Sequence, residues 1–510
     1  VLAVLRRLAP YLLLLGFFGA AYAAPNTLYQ RLPRLDDELA NLWLARVYAL
    51  GRLSAPAAPV PAAFAVTHII DYGGHRFSKY APGFSLILTP SVWMGEPWIT
   101  NPWLFTVVLA VFYRWARSLL GSRVALYALV LGATSPFWLM LAATLMPHGL
   151  SLLAGTLFIA GAMQFVGLNQ PPRRRPTGLA VGMGVALGVV FFTRPFTAFC
   201  LALPLGGVAA WQLFRRPRAT LRRYAPLLLG LAPFPVALLW HNYHFTGQWT
   251  FSLYAMAWPQ DLIGFGPDRG HFGYTPAEAV DSLWLGLNAL NLDLHGWLFV
   301  SLTLPALGLA LPPYHKRDWF LVAFPAAIIL GYMAYFHQSR VFGPRYYVEA
   351  TAPLMALSAL GLHKAWRWLS AHLARKPASL WRALRALALV TAILCLAFDL
   401  LFYIPFRFNY LANPPDYHQQ LSWAPVEAAR AAQLTNAIVL VPSERWITIA
   451  SGNLTNSVLL NDDVLYACYV GPEIYNALRA IYPDRVLYYW VAPNLFPASA
   501  PLPGGGQCDI

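Results

Sequence analysis

Charge is what this chain has least of. Only 11% of its 510 residues are Asp, Glu, Lys or Arg, and 58% are hydrophobic. Soluble domains carry roughly a quarter of charged residues, so an ordinary soluble globular fold is excluded. The mean hydropathy of +0.50 predicts an integral membrane protein instead. Acids are the scarcer sign, 21 against 36 bases. The resulting net charge of +15 does not point to nucleic acid, because most bases fall in short connections between apolar runs. There they set orientation and meet anionic lipid. Cysteine is sparse too. Cys200 and Cys395 lie in apolar runs as small buried hydrophobes, while Cys468 and Cys508 lie in the C-terminal tail, where a disulfide is permitted but not implied. No repeat of fixed period occurs. No small-residue cleavage site closes the first apolar run, which therefore reads as an anchor.

What is present is a series of apolar runs. A span needs about 20 residues to cross roughly 30 Å of hydrocarbon. Runs near 8–24, 99–117, 124–143, 149–167, 178–194, 195–213, 224–241, 293–312, 318–335, 347–366 and 386–404 predict about eleven transmembrane helices. Arg6 and Arg7 precede the first, which places the N-terminus in the cytoplasm by the positive-inside rule. Arg114, Arg117 and Arg123, Arg173–Arg175, the Arg215–Arg223 run, Lys316-Arg317 and the Lys364–Arg385 stretch then fall on the cytoplasmic side. An odd count leaves the C-terminus outside. The expected fold is an all-α polytopic membrane domain, 1–404, with outer loops 25–98 and 242–292. A small extracytoplasmic α/β domain, 405–510, follows, with apolar runs Ala437–Val441 and Val486–Val491 around a helical stretch near Glu473–Ile481. Its Pro/Gly-rich end, Pro501–Gly506, reads as disordered.

With acids so scarce, Asp36-Asp37-Glu38 in the first outer loop is conspicuous. From Asp37 onward Leu39, Leu42, Trp43, Leu50 and Leu53 recur at helical spacing, Arg46 among them, with Asn41, Leu44 and Tyr48 on the other side. This predicts an amphipathic helix lying on the membrane surface, with Asp37 at its N-terminal end. Acids in a first helical turn also complement the helix dipole, which is the alternative reading. Farther along, Gly73-Gly74-His75-Arg76-Phe77-Ser78-Lys79-Tyr80-Ala81-Pro82-Gly83 brings Arg76 and Lys79 to the interface just before an apolar stretch. Gly343-Pro344-Arg345-Tyr346 repeats that arrangement on the same face. Arginine suits bidentate phosphate binding, and solvated loop bases are the alternative.

The order of these motifs resembles the polyprenyl-phosphate-sugar-dependent membrane glycosyltransferases of the GT-C fold, the superfamily of protein O-mannosyltransferases and aminoarabinose transferases. Asp37-Glu38, Ser78–Gly83, Leu145-Met146-Pro147-His148, Thr193-Arg194-Pro195, Asn242 with Thr246-Gly247, and Gly343–Tyr346 carry the resemblance over about residues 1–400. It implies Asp37 as catalytic acid, with Asp36 and Glu38 beside it. It implies Lys79 and Arg345 at the lipid phosphate, with Arg76 and Tyr346 near them, and a substrate cleft including Tyr80, His148 and Asn242. The family's Pro-Pro-Gly is Ala81-Pro82-Gly83 here, and Pro147-His148 stands where some members have a second acid.

The implied function is transfer of a sugar from a polyprenyl-phosphate donor to a glycan, lipid or protein acceptor, with inversion. It would take place on the outer face of a membrane, by this reading the bacterial plasma membrane. Rival readings are a lipid-linked glycan transporter or flippase, which calls for ionisable groups inside the spans, an inactive scaffold of the same fold, and a ligase moving a whole glycan from a lipid pyrophosphate. No tight metal signature occurs. His68, Asp71 and His75, at loose spacing, leave a divalent metal as the one cofactor open to it.

Overall fold

The computed structural model describes residues 2–168, 176–297, 300–336, 341–373, 377–413, 421–442 and 446–502. Arg173–Arg175, Cys508 and Gly504–Gly506 lie outside them. Among the described residues, seven helices are long and apolar enough to cross a membrane: Leu8–Thr27, Pro97–Leu120, His148–Phe165, Pro195–Arg215, Pro217–Thr246, Lys316–Ala334 and Ala378–Ala412. The pair Ser122–Ala133 and Pro136–Ala142, bent by 55°, makes an eighth if it is one span.

The expectation of eleven spans is thus overturned, and each missing run fails for its own reason. Run 124–143 breaks at Ser135-Pro136, where proline cannot donate to the helical ladder and the Ser135 hydroxyl accepts from the Trp138 amide to start a new helix. Run 178–194 forms a 16-residue helix, Pro176–Phe191. At 1.5 Å per residue it spans about 24 Å, short of the hydrocarbon thickness. Among its described residues, run 293–312 holds the end of the helix Pro276–Asp293 and the 8-residue helix Thr303–Ala310. Run 347–366 lies in a 26-residue helix, Val348–Leu373, which is long enough but carries Glu349, His363, Lys364 and Arg367.

Acids do enter the bundle. Asp318 pairs with Lys364 at 3.1 Å, both buried, and the buried Glu349 with the half-buried Arg194 at 2.8 Å, and in each pair the partner offsets the cost of burial. Small residues let helices approach closely. A Cβ on Gly184 would lie 2.0 Å from the Leu227 carbonyl oxygen, and one on Gly230 would lie 2.3 Å from that of Val181. Trp138, wholly buried at the centre, donates its indole N–H to Thr351 Oγ1 at 2.8 Å.

Loop 25–98 holds the helix Asp36–Ala49 and a small antiparallel sheet of β1 (Ala55–Pro56), β2 (Ile69–Tyr72) and β3 (His75–Ser78), ordered β1-β3-β2. The C-terminal unit is α/β. Its strands β4 (Ala437–Pro442), β5 (Val464–Tyr469) and β6 (Val486–Val491) pair in parallel, β7 (Asn494–Pro497) is antiparallel, and the order is β5-β4-β6-β7. Helices Ala424–Ala431, Trp446–Thr455 and Pro472–Ile481 accompany it, and Cys468 is disulfide-bonded.

These two regions pack on each other. Ala58, Val60, Ala63 and Phe64 bury against the C-terminal sheet, and the Cys468 amide donates to the Ala63 carbonyl at 2.7 Å. Leu39 and Leu42 pack with Ala450 and Leu454. The helix carrying Asp37 is therefore buried around both faces from Glu38 to Ala45, not laid on the bilayer as an amphipathic surface helix. Leu50 and Leu53, expected on its apolar stripe, lie beyond its end and are exposed.

Candidate active site

Four chain segments that change direction next to a proline meet around one cavity of about 510 Å³. Asp36 and Asp37 open the helix Asp36–Ala49. The Glu38 carboxylate folds back to accept from the Arg34 and Leu35 amides at 2.8 and 3.2 Å, which fixes the helix start. Lys79 leaves β3 with its amide on the His68 carbonyl, and Pro82-Gly83 then starts the helix Gly83–Trp93. The Gly83 amide donates to the Phe192 carbonyl at 2.9 Å. A Cβ there would meet that oxygen at 2.5 Å, so only glycine lets this turn touch the break that presents Arg194. Arg345 follows Gly343, whose φ of +73° is left-handed.

Asp37 stands at the centre. Its Oδ2 accepts from Arg345 Nη1 at 2.8 Å, and its Oδ1 accepts from the Tyr80 hydroxyl. His68 Nε2 lies 3.3 Å from Asp36 Oδ2 and 3.8 Å from Asp37 Oδ1. Burial pushes the Asp37 carboxyl upward, but Arg345, His68, the Tyr80 hydroxyl and Lys79 together hold it below the usual carboxylate range. Lys79 is held loosely by Asp261 at 3.9 Å, inside an aromatic cage of Tyr80, Tyr254 and Trp258 whose ring centres lie 5.3, 5.6 and 4.9 Å from the ammonium. Burial lowers its pKa from the ordinary lysine value, and the neighbouring acids Asp37, Asp261 and Asp36 pull the other way. Arg194, paired with Glu349 and beside the Tyr332 hydroxyl at 3.2 Å, completes a trio of cations facing the cavity.

Of the residues singled out in the sequence, Asp36, Asp37, Lys79, Tyr80, His148, Arg345 and Tyr346 line this cavity. Glu38 does not. It is buried, holds three backbone amides, and burial pushes its carboxyl up to about 7 against the donors from Leu145, Arg34 and Leu35. Arg76 turns the other way, to the Phe64 carbonyl and to Asp71 at 3.5 Å, and pins the loop. Asn242 is outside the lining. His75 meets Ser54 at 3.0 Å and Asp71 caps the Ala58 amide at 2.9 Å, so the loose trio His68, Asp71 and His75 does not assemble. His68 joins Asp36 and Asp37 instead, with ligand atoms within 4.8 Å of one another. That set suits a divalent cation in donor chemistry. Both Asp37 oxygens already serve Arg345 and Tyr80, so a cation there competes with them. Sequence reasoning missed Arg194, His68 and Asp261 as members of one site. The available signal was Arg194 itself, a lone base between two apolar runs on the acid-bearing side.

No sequence family description matches this chain, and no curated protein matches it in sequence. Its structure overlaps that of ArnT from Cupriavidus metallidurans bound to undecaprenyl phosphate, with TM-score 0.57 and 15% identity over 96% of this chain and 91% of that one. The apo state of the same protein gives TM-score 0.55 and 15% identity over 92% and 88%. An oligosaccharyltransferase from Archaeoglobus fulgidus overlaps more loosely, at TM-score 0.43 and 11% identity over 89% of this chain and 64% of that one. The ArnT overlap runs through nearly the whole of both chains, so this protein shares the fold of ArnT.

Proposed function

We propose that this protein is a membrane glycosyltransferase that moves a sugar from a polyprenyl-phosphate donor to an acceptor hydroxyl, with Asp37 as general base. The observation that carries the reading is the direct contact of Asp37 with Arg345 in a cavity also faced by Lys79 and Arg194. A carboxylate and several cations around one void are what a displacement at an anomeric carbon needs when the leaving group is a phosphate ester. The undecaprenyl phosphate bound by ArnT, whose fold this chain shares, agrees with that leaving group.

The acceptor oxygen attacks the anomeric carbon, its proton passes to Asp37, and the bond to the phosphate oxygen breaks. Charge gathers on the departing polyprenyl phosphate, where Lys79 and Arg345 meet it. One displacement gives inversion. Because Asp37 is held ionised, its proton-accepting form is always present. A phosphate that takes Arg345 for itself also relieves Asp37 of the contact that weakens it as a base.

The same reading puts the N-terminus in the cytoplasm and the cavity, with the C-terminal unit from 405 onward, on the outer face, the orientation in which lipid-linked rather than nucleotide-linked sugars are at hand. The test is transfer in membranes supplied with labelled undecaprenyl-phosphoryl sugars. Wild type transfers label, and Lys79→Ala and Arg345→Ala lose at least tenfold in kcat/KM, the scale of one lost charge-assisted contact. Full transfer by both variants overturns the donor site.

A further inference from the structure

We propose that His148 binds a hydroxyl of the sugar carried by the donor lipid, an inference that rests on the transferase reading above. His148 is buried, lines the same cavity as Asp37, Arg194 and Arg345, and has no hydrogen-bond partner on either ring nitrogen. The other acids and bases of that cavity are engaged. Asp37 holds Arg345 and Tyr80, Asp36 meets His68, Lys79 meets Asp261, Arg194 holds Glu349, and Asp261 accepts from the Tyr335 hydroxyl at 2.8 Å. Buried polar groups in folded proteins find partners, and an imidazole with two empty nitrogens facing a void is placed for a ligand.

Its position is fixed with care relative to Asp37. The turn before it is gripped by Asn101, whose side-chain amide donates to the Thr144 and Met146 carbonyls at 2.6 and 2.8 Å. From the other side Glu38 accepts from the Leu145 amide at 2.8 Å and Asn41 donates to the Leu145 carbonyl at 3.3 Å. Glu38 and Asn41 sit on the helix Asp36–Ala49, which also carries Asp37. The base and the imidazole are therefore mounted on one clamp, which explains why Glu38 is buried although it faces no cavity. Packing tightens the mount, since a Cβ on Gly149 would lie 2.6 Å from Asn101 Oδ1.

The chemistry selects the ligand group. Phosphate oxygens need donors, which Lys79 and the arginines supply. A hydroxyl needs a donor and an acceptor together, and neither lysine nor arginine can accept. Neutral imidazole offers one of each. The sugar occupies the cavity beside Asp37 and the phosphate cations, and His148 lines that same cavity, so the ring hydroxyls are the donor groups left for the imidazole.

The test uses the full chain in lipid nanodiscs and two kinds of probe, bare undecaprenyl phosphate and undecaprenyl phosphate bearing glucose, galactose, mannose or N-acetylglucosamine. Wild type binds at least one glycosylated lipid more tightly than the bare lipid. His148→Ala loses that preference, by up to about tenfold for one net hydrogen bond, and binds the bare lipid within about twofold. His148→Asn, which keeps a donor and an acceptor, recovers part of the preference. A preference unchanged in His148→Ala overturns the proposal, as does equal weakening toward bare and glycosylated lipids. So does a wild type without preference for any of the four sugars. If wild type binds neither kind of lipid, the donor reading falls and this inference falls with it. Bare lipid that binds through Lys79 with no sugar preference removes only the inference.

Discussion

Replacing Asp37 with asparagine separates the two things that residue does. The side chain keeps its shape and one oxygen, so it can still accept from Arg345, now 2.8 Å away, while the amide turns to the Tyr80 oxygen. What goes is the charge and the ability to take a proton. Removing a general base costs on the order of 10²- to 10⁴-fold in rate, or about 3–5.5 kcal/mol of barrier. Donor binding moves the other way. Arg345 is shared between Asp37 and the incoming phosphate, and losing the carboxylate leaves the guanidinium without its competitor. Asp37→Asn is therefore expected to bind undecaprenyl phosphate at least as tightly as wild type while transferring at a hundredth of the rate or less. Folding suffers too, since unpairing one partner of a buried ion pair costs up to about 3–5 kcal/mol. The amide oxygen that remains still accepts from Arg345 and keeps the loss below that limit. Single-turnover transfer and lipid binding on the same preparation check all three. Transfer within about threefold of wild type refutes Asp37 as the base. Loss of donor affinity as deep as in Arg345→Ala shows instead that Asp37 only holds Arg345 in place.

Three further outcomes follow from the same geometry. Lys79 is lowered from the ordinary lysine value by burial, so affinity for undecaprenyl phosphate declines with rising pH in a window that opens below pH 10.5. Lys79→Arg removes that decline, and a titration with equal slopes in both proteins contradicts it. Gly343→Ala puts a Cβ 2.7 Å from Asp293 Oδ2 at a φ of +73°, which displaces the turn carrying Arg345. It should lose transfer at least tenfold while the bundle still unfolds cooperatively, and an unaffected kcat/KM refutes the placement. Glu38 rises to about 7 in the folded chain from 4.5, so the folded state holds the extra proton and stability falls as pH climbs through that interval. Melting temperatures between pH 5 and 8 should fall for wild type and fall less for Glu38→Gln. Parallel slopes would put the pH dependence elsewhere.

The C-terminal α/β unit was legible because β4 and β6 are continuous apolar runs bounded by turn residues, a pattern that survives without any tertiary information. The burial of the Asp37 helix was not legible. Its sequence has an apolar stripe suited to a bilayer, but Ala450 and Leu454, some four hundred residues away in sequence, pack on Leu39 and Leu42 of that stripe, and Ala55, Ile69 and Val458 pack with Leu44 and Tyr48 of the other side. Asn242 and Arg76 were drawn toward the site by their place in motifs. Arg76 proves to hold the Phe64 carbonyl and Asp71, a structural use of a guanidinium that no short motif distinguishes from phosphate binding. Asp261 lies in the loop that holds Gly264 and Gly266, and its amide closes a turn on the Trp258 carbonyl at 2.9 Å. Its ion pair with Lys79 depends on a loop closing over the cavity, which no local pattern records.

Part of the span miscount and the missed Arg194 have one physical root. Hydropathy reads composition along a window and is blind to where the backbone stops. In this chain the stops are prolines: Pro82 before the helix Gly83–Trp93, Pro147 before His148–Phe165, Pro195 opening Pro195–Arg215, and Pro344 before the turn Arg345–Tyr347. Proline is favoured at a helix start, where its missing N–H costs nothing, and each of these marks a break in an otherwise apolar stretch. The residue beside each break lies outside the regular ladder and is free to turn inward. Those residues are Ala81, His148, Arg194 and Arg345, and all four line the cavity. A run such as 178–194 is too short to span for the same reason that Arg194 faces the site, because the helix ends where the polar group must appear. Searching a membrane chain for polar residues next to proline on the acid-bearing side would have found Arg194 together with His148 and Arg345, and would have reduced the span count in the same step.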